Sequence, residues 1–288
     1  MKIITSARYL TLGICIALSA AACAQAPPTE KREQEAVMSE DPSKSRTIDG
    51  YTYTTAPVVA QLGPPRYAFP ANLYDDQIGP AVGGGVGLTL MWPDLRAAPP
   101  GTRSSRTMAD HHRAITIAVD HIDGVPIAEL MDRRTSTDAS SEEGSVFRKD
   151  PRERLDMRKP GTEQFGLTTY AIDESHMAAF GDAYEQETGL PATRNPSFED
   201  DWYIARSADG AIASFIKCDK ITNGHDGLRL EGERPIADHR TVISGCTHYF
   251  VDLDDSLSLH LTYPRILLKD WKAMESATRA ALAKYKVD

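Results

Sequence analysis

The sequence predicts an antiparallel, β-rich α+β fold closed by a C-terminal amphipathic helix. Three features predict it. Several runs of strand length alternate apolar and polar residues. Two pairs of these runs are separated only by short polar turns. The last stretch of chain changes to a period of three and four residues, which is helical.

In chain order, the fold is expected to begin near Thr47, where TYTTAPVVAQ has β-branched and aromatic residues at strand density. GPPRYAFPANLYDD follows and is expected to be irregular because of its prolines. In GGGVGLTLMWP, Val86, Leu88, Leu90 and Trp92 fall on one face, and Ile115, Ile117 and Val119 alternate in the same way. Pro126 to Arg134 fits one short helix. Residues 132–165 are dense in charge, Ser and Thr, and are expected to be an exposed connector. The segments DDWYIARS and AIASFIKCDK suit a hairpin over Ala208-Asp209-Gly210, and SGCTHYFVDLD and SLSLHLTYP suit a second over Asp254-Asp255. In the C-terminal helix Trp271, Met274, Thr278, Leu282 and Tyr285 share a stripe. The connector would divide a β-rich lobe at 47–131 from an α+β lobe at 166–288. VGLTLMWP and LSLHLTYP also echo each other, which two similar lobes would explain.

The N-terminus is an export signal. Lys2 and Arg8 precede an apolar run from Tyr9 to Ala22 that is shorter than the roughly 20 helical residues needed to span a bilayer. Ala20-Ala21-Ala22-Cys23 resembles the lipobox of bacterial lipoproteins, which implies a signal peptide of residues 1–22 and lipid on Cys23. Ordinary cleavage after Ala24 or Ala26, discarding Cys23, is the competing reading. Ala24 in place of Asp implies, again by resemblance, an outer-membrane anchor facing the periplasm. Residues 23–46 are polar and charged, too poor in large apolar side chains to fold, and are expected to form a flexible tether.

The chain of 288 residues is 41% hydrophobic with a net charge of -9, and loss of Lys2 and Arg8 takes the mature charge to -11. Such a surface argues against nonspecific nucleic-acid binding and leaves the lipid as the membrane contact. Of four cysteines, Cys15 lies in the signal and Cys23 at its end, so Cys218 and Cys246 remain for the fold. Two cysteines in an oxidising compartment are expected to pair.

Catalytic and metal motifs are missing. No Gly-x-Ser-x-Gly elbow and no phosphate loop occur. His111, His112 and His121 lack ligand spacing, with the first two pointing apart if they lie on a strand, so no metal or cofactor is expected. Asp173-Glu174-Ser175-His176 has catalytic residue types but reads as a polar helix start before Met177, Phe180 and Tyr184. Asp252, Asp254 and Asp255 read as a hairpin tip rather than a calcium loop. The loop between the cysteines offers Lys220, His225, Arg229 and Glu231 for a partner.

The last third carries a family resemblance. Ile216 to Cys218, the second cysteine strand Cys246-Thr247-His248-Tyr249-Phe250, Tyr263-Pro264-Arg265, and Leu268 to Trp271 opening the helix resemble the periplasmic immunity lipoproteins that protect bacteria from phospholipase toxins of type VI secretion. The resemblance covers residues 200–288. It implies a non-enzymatic protein whose partner is a secreted lipase. An envelope hydrolase and a structural lipoprotein are the alternatives.

Overall fold

The strands of the fold are, in chain order, β1 (Ser45–Ile48), β2 (Tyr51–Thr54), β3 (Pro57–Gln61), β4 (Arg66–Pro70), β5 (Val86–Met91), β6 (Ala114–His121), β7 (Arg158–Gln164), β8 (Leu167–Ile172), β9 (Asp200–Arg206), β10 (Ile212–Asp219), β11 (Leu228–Glu231), β12 (Arg234–Ala237), β13 (Gly245–Asp252), β14 (Leu257–Pro264) and β15 (Lys286–Val287). The helices are α1 (Met108–His111), α2 (Leu130–Arg134), α3 (Glu174–Thr188) and α4 (Trp271–Tyr285). The computed structural model describes residues 44–80, 84–221, 226–238 and 242–287. The signal segment, Cys23, nearly all of the tether, and His225 lie outside the described residues.

One antiparallel sheet of eight strands, in the order β5-β6-β14-β13-β10-β9-β8-β7, forms the body. Both hairpins expected from sequence lie within it, as β9–β10 and β13–β14. The sheet crosses the expected boundary between lobes. β6 pairs along its length with β14, and residues 39–288 cluster as one unit where the sequence suggested two. The echo between VGLTLMWP and LSLHLTYP has a local cause. β5 and β14 flank β6 on either side, and Leu88, Ile117 and Leu261 stand in one cross-strand row. Both strands must place aliphatic residues against the same core.

That core lies on one face of the sheet. Val86, Leu88, Leu90, Ile115, Ile117, Val119, Leu259 and Leu261 meet Leu267, Leu268, Trp271, Met274 and Leu282 of the C-terminal segment. α4 thus buries the stripe its period predicts. A small sheet, β15-β4-β3, flanks this layer. β4 was expected to be irregular, but Tyr67 and Phe69 alternate into the core between the prolines at its ends, so burial outweighs proline content. Tyr285 packs edge-on against Phe69 with ring centroids 5.8 Å apart.

Cys218 and Cys246 face each other across β10 and β13 and form a disulfide. The loop they close contains the β11–β12 hairpin. At one margin of the large sheet, β7 carries Pro160 and loses regular register before Glu163. At the other, Tyr74 and Arg96 bridge β5 from outside.

Closing a loop with a sequence separation of 28 should stabilise the fold by about 3 to 4 kcal/mol in the chain-entropy account. Replacing both cysteines by serine should therefore lower the urea midpoint of the mature protein, with native circular dichroism retained. An unchanged midpoint would mean that the bridge adds nothing to the fold.

Candidate functional site

The most chemically suggestive cluster in the fold is buried. Glu275 on α4 accepts a hydrogen bond from Ser214 Oγ of β10 at 2.7 Å, and its Oε2 lies 3.2 Å from His248 Nε2 of β13. Arg279, one turn on, donates to Glu275 through Nε at 2.9 Å and to the carbonyl of Val251 at 3.0 Å. These residue types occur in hydrolases, but the arrangement is unsuited to that chemistry. Ser214 donates to the carboxylate rather than to the imidazole, and both Ser214 and His248 are sealed from solvent. Burial would raise the pKa of Glu275, but His248, Ser214 and Arg279 outweigh it and hold it at about 2 against an ordinary 4.5. Burial pulls His248 below its ordinary 6.5, against the pull of Glu275. The cluster joins α4 to the sheet.

The opposite face of the sheet is divided into two halves. Over β8, β9 and β10 it is covered by the charged segment expected to be exposed. Met131 and Leu155 pack on Trp202, Ile204 and Phe215. Arg158 is buried, stacks 4.0 Å over Trp202, and donates to the carbonyls of Pro151, Arg152 and Asp200. One guanidinium thereby satisfies backbone that a polar sequence would otherwise leave to water.

Over β5, β6, β14 and β13 the same face is only partly covered: Thr89 is buried and bonded to Asp75, and Arg134 lies over Tyr249 and donates to Ser258. Residues alternating with the core aliphatics form a cross-strand row of threonines: Thr89, Thr116, Thr262 and Thr247. Thr116 and Thr262 are exposed. Above them lies a cleft of 680 Å³, walled by Tyr53, the 75–78 loop, Arg103, Arg106, His111 and Ile243. Its loops are locked together. Gln77 donates to the carbonyl of Pro99 at 3.0 Å and accepts from the amide of Arg103 at 3.2 Å. Asp75 accepts from Thr89 at 2.9 Å and from Arg103 at 3.1 Å. Apolar side chains are exposed in the cleft wall and in the chain segments next to it. Ile78 is 46% exposed; Met108, one turn before His111, is 68% exposed, and Val242, beside Ile243, is 82% exposed.

Other residues singled out from sequence are placed as follows. Asp173 caps α3, accepting from the Ser175 amide at 2.9 Å. Asp252 accepts from the amides of Asp254 and Asp255 at the hairpin tip. His111 and His112 lie at the end of α1, not on a strand, because Thr107 and Asp110 form a capping box. Among the described residues, no group of three or more His, Cys, Asp or Glu side chains is placed to hold a metal. Lys220 and Arg229 pair with Glu199 and Glu231. No described helix is long and apolar enough to cross a membrane. The threonine row and its cleft were not singled out from sequence.

Fold and cleft define an α+β protein with an open cleft on one face of its large sheet. No protein-family model matches the chain, and no curated protein matches it. A solved structure does, that of Smlt3025, an immunity protein of the Stenotrophomonas maltophilia type IV secretion system. It is 47% identical, with a TM-score of 0.80, over 85% of this chain and 100% of that one. The chain belongs to this immunity-protein family.

The buried cluster makes stability depend on pH. Both Glu275 and His248 are depressed in the folded chain, so their stabilisation is present above their unfolded values and is lost on acidification. Unfolding midpoints should fall below about 6.5 through His248, and again between about 4.5 and 2 through Glu275. Glu275→Gln should cost roughly 3 kcal/mol near neutral pH, as for one partner removed from a buried pair, and should flatten the lower window. A variant curve parallel to wild type there would exclude Glu275 as the titrating group.

Proposed function

We propose that the protein is a periplasm-facing immunity lipoprotein that binds and neutralises a toxin injected by a competing cell. The observation that carries this is the similarity to an immunity protein along that protein's whole length. The short motifs of residues 200–288 pointed to type VI secretion, whereas the similar structure belongs to a type IV system. A match over a whole solved chain outweighs motifs of a few residues, so we propose a toxin delivered by a type IV system. The same motifs make a lipase the toxin class to test first. We propose lipid on Cys23 as the anchor, with outer-membrane attachment following from Ala24. An acyl-modified N-terminal cysteine gives durable attachment because each buried methylene contributes about 0.8 kcal/mol. The disulfide suits an oxidising compartment.

Cells expressing a cognate lipase toxin in their periplasm should die, and co-expression of this protein should restore viable counts. The purified protein should show no esterase turnover of its own. Turnover that persists through repurification and vanishes with one point mutation would replace the immunity proposal with an enzymatic one.

Cys23→Ala should abolish metabolic palmitate labelling and release the protein from the membrane fraction. Equal label in wild type and variant would refute the lipid anchor.

A further inference from the structure

The net charge of -9 averages over an uneven distribution. Residues 96–113, between β5 and β6, hold four arginines and a single acid, Asp110. This segment lies where the described chain begins. The carbonyl of Lys44 accepts from the Thr55 amide at 3.1 Å, and the carbonyl of Ala56 accepts from the Ala71 amide at 2.9 Å. Asn72, next along, donates to the carbonyl of Ala98 at 2.8 Å. Ile48, Tyr53 and the stem of Arg46 close over Gly101, where a β-carbon would lie 3.1 Å from Ile48 and 3.4 Å from Arg46. The β1–β2 hairpin is thus fastened onto the arginine-rich segment. Lys284 reaches the same region from α4, lining a groove of 720 Å³ together with Arg96 and Pro70.

Lys44, Arg46, Arg96 and Lys284 are exposed, and none of them forms an ion pair among the described residues. The acids nearby are fewer. Asp110 is held by its capping box with Thr107, and Asp75 pairs with Arg103, which leaves exposed Asp49 and Asp94. Tyr51, 47% exposed, packs edge-on against Tyr53 of the same hairpin with ring centroids 4.9 Å apart. The four cations are spread over three chain segments rather than gathered at one point, which suits a surface of distributed negative charge.

We propose that this basic patch rests on the anionic phospholipid headgroups of the membrane that holds the anchor, and so orients the fold on it. The proposal depends on the lipid anchor proposed above and adds an orientation to it. The occupant is a bilayer because the patch surrounds Lys44, from which residues 24–43 lead back to Cys23. By connectivity, this is the part of the fold that an anchor holds nearest the headgroups. A tether limits distance without fixing orientation, whereas each basic side chain held against an anionic surface strengthens attachment about fivefold. Tyr51 suits the headgroup level, where an aromatic ring with a polar tip is favoured.

The test measures co-sedimentation of the mature chain, made without lipid, with two kinds of vesicle: phosphatidylethanolamine with phosphatidylglycerol, and uncharged phosphatidylethanolamine with phosphatidylcholine. Binding to the anionic vesicles should be at least tenfold tighter and should fall as salt rises. Combining Arg46→Glu, Arg96→Glu and Lys284→Glu should weaken it at least tenfold. Combining Arg133→Glu, Lys149→Glu and Arg234→Glu changes the net charge equally at exposed sites elsewhere and should bind nearly as wild type does. If the two triple variants lose binding equally, net charge is responsible and the proposal is overturned. In the acylated protein on anionic vesicles, Lys44 and Lys284 should be shielded from an amine-reactive label relative to Lys149, and equal labelling would overturn the orientation. If the patch variant binds vesicles as wild type does but no longer protects toxin-expressing cells, the patch belongs to the toxin. Self-association abolished by the patch variant, without vesicle binding, would give it to a second copy. Failed palmitate labelling refutes the anchor, whereas equal affinity for the two kinds of vesicle refutes the patch. Circular dichroism separates lost folding from lost binding, and labelling of wild type decides the outcome if the patch variant does not fold.

Discussion

The carboxylate of Glu275 is the point at which the helical layer is fixed to the sheet. It reaches Ser214 on β10 and lies against His248 on β13, while Arg279 ties the same helix to the backbone at Val251. Apolar packing alone would let α4 slide along the sheet, since dispersion has little direction. The polar node sets its register. Register then propagates. With α4 placed, Tyr285 reaches Phe69, and Lys286 and Val287 pair with Tyr67 and Arg66 of β4. Asp255 closes the circuit, accepting from Tyr67 and pairing with Lys286. The small sheet is thus tied to the end of the helix as well as packed into the core through Ala60, Tyr67 and Phe69.

The two faces of the large sheet are suited to different tasks. One carries the aliphatic core and the buried node, where substitution costs stability. The other is open around Thr116 and Thr262, and there those residues and the cleft walls can change without entering the aliphatic core. Substitutions on that face leave the fold as it is. Separation by face provides this, because alternate residues of one strand point to opposite sides.

Local pattern made much of the fold legible. Period-two runs at 200–219 and 245–264 gave both hairpins, and the period of 271–285 gave the helix with its buried stripe. Cysteine counting gave the bridge, though not that the two would stand directly opposite. Partners distant in sequence were not legible. Nothing local in RAITIAVD says that it pairs with SLSLHLTY, so the sheet looked like two lobes. The segment around Arg158 looked solvent-bound because charge usually is. Its guanidinium is buried only because the carbonyls of Pro151 and Arg152, of Tyr170 and of Asp200 converge on it. The cleft was hidden for a related reason. Outward threonines look like ordinary solvated positions of amphipathic strands, and only the register aligns four of them. That the same residue type recurs at the outward position of several runs was a signal that could have been weighed.

The margins of the large sheet bear on how the molecule behaves in company. An open strand displays amides and carbonyls that another sheet can adopt, and crowded β-proteins aggregate by that route. Here β5 is bridged from outside by Tyr74 and Arg96, and β7 breaks its pattern at Pro160, which has no amide to offer. Neither rim presents an uninterrupted template. Many copies gathered on one surface could therefore stand side by side without being drawn into a shared fibril.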